Sequence, residues 1–266
     1  MTIGAQPGGP MPDPWTGQDR YKWMFRLPRV AWGWELLRRD PDYQTAYRAS
    51  LSRGNTRTSQ SYTEPTHWSL LRFENPDHDA RTANVLWRRD HCREVLPLIA
   101  SREHCQYDAG QFSIDHLQCR ITVYCEEDGN RCHILFAQDG RFLQLEICGA
   151  DCVQDGVLMT PVLPNPRHRT ARLSAVHRLT DLMAKGILRP ALYPPLKRAR
   201  RLVEVIQVLD AALAGAVPRD IALGIYGSAR FRREWHYPNN GLRQHVMTAL
   251  DYGKTLMQGG YRRFLS

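Results

Sequence analysis

The chain has 266 residues, 42% hydrophobic and 24% charged, which is globular usage and excludes a disordered chain; the length allows one to two domains at ~150 residues each. Apolar runs such as Ile221-Ala-Leu-Gly-Ile-Tyr226 fall short of the ~20 residues of a membrane span, and residues 1–10 lack a secretory pattern, so a soluble cytoplasmic protein without a membrane segment is expected. With 36 basic and 27 acidic residues the net charge is +9, a balance that suits a polyanionic partner.

Residues 1–19 are rich in Gly and Pro and read as a mobile tail. Ala31-Trp-Gly-Trp-Glu-Leu-Leu-Arg-Arg-Asp40 predicts a short amphipathic helix with Trp34, Leu37 and Val30 on one face, stopping before Pro41. Large aromatics at helical spacing are usually core, and Trp32 and Trp34 are expected there. Pro41 then starts a second helix with Tyr43, Ala46 and Tyr47 on one side. Residues 52–61 read as a polar loop, and Val85-Leu-Trp87 as a short strand.

From about 112 to 163 the period becomes two. Ile121–Cys125 and His133–Phe136 flank Glu126-Glu-Asp-Gly-Asn130 as a hairpin, and Asp139-Gly140 turns the chain into Phe142–Ile147. Val157–Leu163 is a fourth candidate strand, completing a small antiparallel sheet. The seven cysteines all lie between residues 92 and 152, with no Cys-x-x-Cys pair. In a cytosolic chain a disulfide framework is not expected, and the ligand spacings do not make a zinc site, so the cysteines read as small core residues with no metal.

After Pro164-Asn-Pro166 the pattern is helical. Leu173, Val176, His177, Leu179 and Leu182–Met183 mark one face of a helix ending at Gly186. Leu202, Val205, Ile206, Leu209 and Leu213 mark the next, closed by Gly215. Pro218 opens a short helix with Ile221, Ala222, Ile225 and Tyr226 as its apolar face, ending at Gly227, and Leu242, Val246 and Leu250 define a final helix beginning near Asn239–Asn240. About a dozen residues separate Tyr226 from Asn239, more than the ~3–4 of a simple helix-turn-helix turn, so Ser228–Trp235 must form an additional short helix.

Residues 167–266 carry 18 basic and 6 acidic side chains, whereas residues 1–166 carry 18 and 21. Asn239, Asn240, Arg243 and Gln244 occupy the N-terminal end of the last helix, where a helix-turn-helix reader meets base edges. Arg219, Arg230, Arg232, Arg233, Lys254, Arg262 and Arg263 surround them as candidate phosphate contacts. An ordinary helical bundle with a hydrated basic face has the same spacing. No phosphate loop, dinucleotide fingerprint, nucleophile elbow or His-Glu-x-x-His motif occurs, so neither an enzyme nor a cofactor is expected.

Arg198-Ala-Arg-Arg, Leu209-Asp-Ala-Ala-Leu-Ala-Gly-Ala216, Arg219-Asp-Ile-Ala-Leu-Gly-Ile-Tyr-Gly227, Leu242-Arg243 and Leu256-Met-Gln-Gly-Gly-Tyr-Arg-Arg-Phe-Leu265 strongly resemble the RovC-like DNA-binding family. The strand region with Gln138-Asp-Gly-Arg-Phe-Leu-Gln-Leu resembles the part that precedes those helices in the family. Residues 32–48, continued by Trp68-Ser-Leu-Leu-Arg-Phe-Glu-Asn-Pro and Val85-Leu-Trp87, resemble a second module at the front of fused regulators of the same group. The resemblance spans roughly residues 30–265.

That resemblance implies an activator of transcription, in a group that serves type VI secretion genes or excision of integrative and conjugative elements. Small relatives with one module act instead as antiactivators that bind another regulator; two modules in one chain favour the activator. The expected fold is α+β: an N-terminal helical module with a small antiparallel β-sheet, followed by an all-α, helix-turn-helix-like DNA-binding domain. The expected domains are the tail 1–19, a Trp-rich helical module 20–110, the sheet 111–165 and the DNA-binding domain 166–266. Expected partners are double-stranded promoter DNA and further copies of the chain, with RNA polymerase or an antiactivator as other candidates.

Overall fold

The computed structural model describes residues 15, 17–52, 64–101, 114–126, 129, 131–149, 158–162, 169–236 and 241–266. The fold is α+β. The chain divides into two compact units that interleave along the sequence: residues up to Arg26 with Lys197–Thr255, and Leu27–Leu196 with Leu256–Ser266. The sequence-based domain limits, by contrast, run consecutively.

In the larger unit, α1 (Arg29–Leu37) and α2 (Pro41–Ser52) are followed by a 3-10 turn, Pro65–Trp68. Trp32 and Trp34 are fully buried, as large aromatics at helical spacing should be. Each indole N–H reaches a carbonyl: Trp32 Nε1 donates to Leu27 at 3.3 Å and Trp34 Nε1 to His78 at 2.9 Å. Tyr43 packs edge-on against Trp34 and Trp68 with centroids 5.7 and 5.5 Å apart, the favoured aromatic geometry. Glu35 is fully buried, a costly place for a carboxylate without partners. It accepts from Arg38 Nε at 2.8 Å, Arg39 Nη1 at 2.7 Å and the Ala80 amide at 2.7 Å.

The sheet contains β1 (Leu96–Ser101), β2 (Arg120–Cys125), β3 (Arg131–Gln138), β4 (Arg141–Gly149) and β5 (Leu158–Pro161), in the order β2-β3-β4-β1-β5. Asp139 and Gly140, with φ of 49° and 79°, form the two-residue turn that matches strand twist. A Cβ at Gly140 would lie 2.6 Å from Leu27 Cδ2, so a larger residue there would also displace that side chain. The sheet is mixed rather than antiparallel. β1, a strand the period-two pattern did not mark, pairs parallel with β4 and antiparallel with β5.

Val85-Leu-Trp87 is not a strand and makes only an isolated bridge, Leu70 to Trp87. The Trp87 backbone is satisfied by a side chain instead. Its N–H donates to Gln144 Oε1 at 2.9 Å, and its carbonyl accepts from Gln144 Nε2 at 2.8 Å. One sheet face packs Leu96, Leu98, Ile134, Phe136, Leu145 and Ile147 against α3 (Arg169–Lys185). That helix turns Arg172, Ala175, Leu179 and Leu182 inward, while Leu173 is half exposed, so its inner face is rotated from the expected one.

A disulfide joins Cys125 to Cys132, correcting the expectation of reduced thiols. The β2–β3 register sets these residues directly opposite each other, with Cα atoms 4.1 Å apart. Cys92, Cys119 and Cys148 are free, whereas Cys105 and Cys152 lie outside the described residues. Among the described residues no helix is long and apolar enough to cross a membrane, and no side-chain group is arranged to hold a metal.

Candidate nucleic-acid interface

The smaller unit is built on α4 (Ala199–Leu213), whose Leu202, Val205, Ile206 and Leu209 recur at three and four and are all buried. The 3-10 helix Gln18–Arg26 lies on α4, with the Tyr21 hydroxyl donating to Asp210 Oδ2 at 2.9 Å. Trp15 is buried and its carbonyl accepts from Gln207 Nε2 at 3.2 Å, so the tail expected over 1–19 does not extend to Trp15. Gly215, at φ 88°, closes α4, and the Ala216 amide returns to the Ala211 carbonyl at 3.0 Å in the manner of a helix C-cap.

Helix α5 (Pro218–Glu234) starts with proline in its first turn and buries Ile221 and Ala222 completely. At Gly227 the backbone takes φ 79°, ψ 161° and breaks the helix in two, so Ser228–Glu234 is the additional helical segment the sequence required. Phe231 anchors that segment, 6% exposed and stacked on Trp235 with centroids 5.0 Å apart. Helix α6 (Gly241–Met257) buries Leu242, Val246 and Leu250 and leaves Arg243, Gln244 and Thr248 exposed. It passes close to α4: a Cβ at Gly253 would sit 3.2 Å from Val205 Cγ1 and 3.3 Å from Leu209 Cβ.

Of the residues singled out in the sequence, Arg219, Arg230, Arg232, Arg233, Arg243, Gln244 and Lys254 belong to this unit. Arg219 lies over the Phe231 ring at 5.9 Å from its centroid, and Arg232 and Lys254 are exposed. Two of the cations share one carboxylate. Glu234 accepts from Arg230 Nε at 2.9 Å and Arg233 Nη2 at 2.8 Å, which lowers its own pKa and raises that of Arg230. Gln244 Nε2 is 3.4 Å from Thr248 Oγ1. Asn239 and Asn240 lie outside the described residues.

Arg262 and Arg263 belong to the larger unit, in the 3-10 segment Gly260–Phe264. Arg262 Nε donates to Ser69 Oγ at 3.1 Å and its Nη2 donates to the His67 carbonyl, while the guanidinium stacks 5.1 Å from the Tyr261 centroid. The Arg263 carbonyl accepts from Arg29 Nη2, and its guanidinium lies over Phe264. These arginines therefore take part in intramolecular packing.

Sequence reasoning passed over Glu204 and His245, and read Tyr226 only as part of an apolar face. Glu204 Oε1 accepts the Tyr226 hydroxyl at 2.5 Å and His245 Nε2 at 2.7 Å, joining α4, α5 and α6. Burial first, and the bond to Glu204 second, raises the Tyr226 pKa far above its ordinary value and keeps the hydroxyl a donor. Only the position of His245 beside Gln244 could have pointed to this cluster.

An exposed guanidinium and amide on the first turn of a helix, held by an apolar stripe behind and flanked by further arginines, suit base edges and phosphates. Residues 160–266 match the family model of the type VI secretion transcription factor DNA-binding domain, and residues 14–73 match that of a proteobacterial transcriptional regulator-like domain. No curated protein matches the chain. The class defined by these domains is a DNA-binding transcription regulator. Within it, the C-terminal part of the chain is similar to the RovC-like DNA-binding domain.

Proposed function

We propose that the protein is a sequence-specific, non-enzymatic activator of transcription in the cytoplasm, with α6 as its reading helix. The observation that carries this reading is the division of α6 into a buried Leu242–Val246–Leu250 stripe and an exposed Arg243–Gln244–Thr248 side. In the major groove Arg243 would pair with guanine and Gln244 with adenine. Arg219, Arg232 and Lys254 would hold phosphates, joined by Arg230 and Arg233 when they leave Glu234.

Two regulator domains in one chain support the activator over an antiactivator, and the description of the C-terminal family supports secretion genes as targets. A symmetric DNA site would call for self-association, as is common for such readers. The front domain is then the part suited to RNA polymerase.

The test is a mobility shift with the full chain on a duplex selected from genomic fragments, against random duplex. Arg243→Ala should weaken selected-site binding by about 5- to 150-fold, equivalent to ~1–3 kcal/mol, and leave random-duplex binding nearly unchanged. Equal binding of both duplexes by parent and variant would refute α6 as the reader.

A further inference from the structure

Glu204 projects from α4 with its side chain 32% exposed, and a single oxygen, Oε1, receives donors from two other helices. The Tyr226 hydroxyl comes from the residue immediately before the break at Gly227. His245 Nε2 comes from the first turns of α6, next to Gln244 and two residues after Arg243. The two donor rings meet edge to face with centroids 5.7 Å apart, and the Arg230 guanidinium covers Tyr226 at 4.9 Å from its centroid.

The apolar packing of α6 alone permits small rotations about its axis. A charge-assisted bond in its second turn is directional and limits them. The same oxygen fixes the end of the first half of α5, so one acceptor sets two helix orientations together.

We propose that Glu204 is a positioning residue for DNA reading: through Tyr226 and His245 it fixes the rotation at which α6 presents Arg243 and Gln244 to the base edges. This rests on α6 being the reader. A carboxylate near a polyanion also opposes phosphate binding in general, so Glu204 affects specific and random DNA in opposite directions. It aids the first by orientation and hinders the second by charge. A residue that only stabilised the fold would affect both in the same direction.

The experiment compares Glu204→Leu, Glu204→Gln and Tyr226→Phe in the full chain, measuring affinity for the selected duplex and for random duplex. Glu204→Leu should lower selected-site affinity by about tenfold while random-duplex affinity holds or rises. Glu204→Gln keeps an acceptor oxygen and should restore selected-site binding to within about threefold of the parent. Tyr226→Phe removes one donor with little change in shape and should fall between the two.

Unchanged selected-site binding by Glu204→Leu and Tyr226→Phe overturns the proposal. So does a parallel fall on both duplexes, or failure of Glu204→Gln to recover. Should Glu204→Leu fail to fold, Tyr226→Phe and Glu204→Gln decide alone. Arg243→Ala, run alongside, separates the two levels: a loss there without a loss at Glu204 leaves the reader standing and removes only the positioning role.

Discussion

The break at Gly227 offers a perturbation whose size follows from backbone geometry alone. At φ 79°, ψ 161° the residue occupies a region that only glycine populates comfortably. A Cβ there would meet no other atom within 4 Å, so Gly227→Ala introduces no collision beyond its own backbone. Holding alanine in this conformation costs ~1–3 kcal/mol, and alanine favours an unbroken helix over glycine by ~1 kcal/mol. The balance between broken and straight forms of α5 therefore shifts by about 2–4 kcal/mol towards the straight one.

Opposing that shift are the burial of Phe231 and the bond from Tyr226 to Glu204, which sit on either side of the break. If they hold, the strain appears as lost stability of about 1–3 kcal/mol, read as faster amide exchange across Pro218–Glu234. If they yield, the second half of α5 swings, Arg230 leaves Tyr226, and selected-site DNA binding falls as well. Ser228→Ala, exposed and helical, is the control and should change neither reading. A Gly227→Ala protein with parental amide exchange and parental DNA affinity would refute the reasoning.

The same chemical change should have opposite signs at two other glycines of this unit. Gly224 is exposed in a helix, and Gly224→Ala should stabilise by up to ~1 kcal/mol, while Gly253→Ala pushes on Val205 and Leu209 and should destabilise by up to about 2 kcal/mol, both read by urea denaturation. Arg262→Ala should lower stability by ~1–3 kcal/mol through loss of its bonds to Ser69 and His67, and leave the salt dependence of DNA binding unchanged; a salt slope reduced by about one would return Arg262 to the phosphate contacts.

Where structure follows from neighbours along the chain, it was legible. Leu202, Val205, Ile206 and Leu209 share a face because 3.6 residues make a turn, and Asp139-Gly140 forces a hairpin because few residue pairs accept two positive φ angles. The length between Tyr226 and Asn239 required an extra helical segment, which begins after Gly227. Other features depend on distant partners. β1 carries an apolar run with Pro97 inside it, and its pairing with β4 joins residues such as Leu96 and Leu145. Trp87 looked like a strand residue because nothing local reveals that Gln144 serves its backbone. Arg262 looked available for phosphate because its partners, His67 and Ser69, lie almost 200 positions earlier. Glu234, by contrast, is four residues from Arg230, a pairing that helical spacing alone could have indicated.

The basic excess that first suggested DNA is less local than its count implies. Of the cations in α3 and the segment after it, Arg178 pairs with Glu94 at 2.5 Å, Arg189 with Asp181, and Arg172 is buried. Those charges act within the larger unit: the first two neutralise carboxylates, and the third lies inside, where burial lowers its pKa. Net charge therefore pointed to the right class of partner without marking the surface that meets it. In the proposed reading, that surface is marked by exposure on an otherwise packed helix. Arg243 and Gln244 stand outward because Leu242 and Val246 cannot, and the apolar stripe that stabilises α6 is also what fixes which side chains face away from the core.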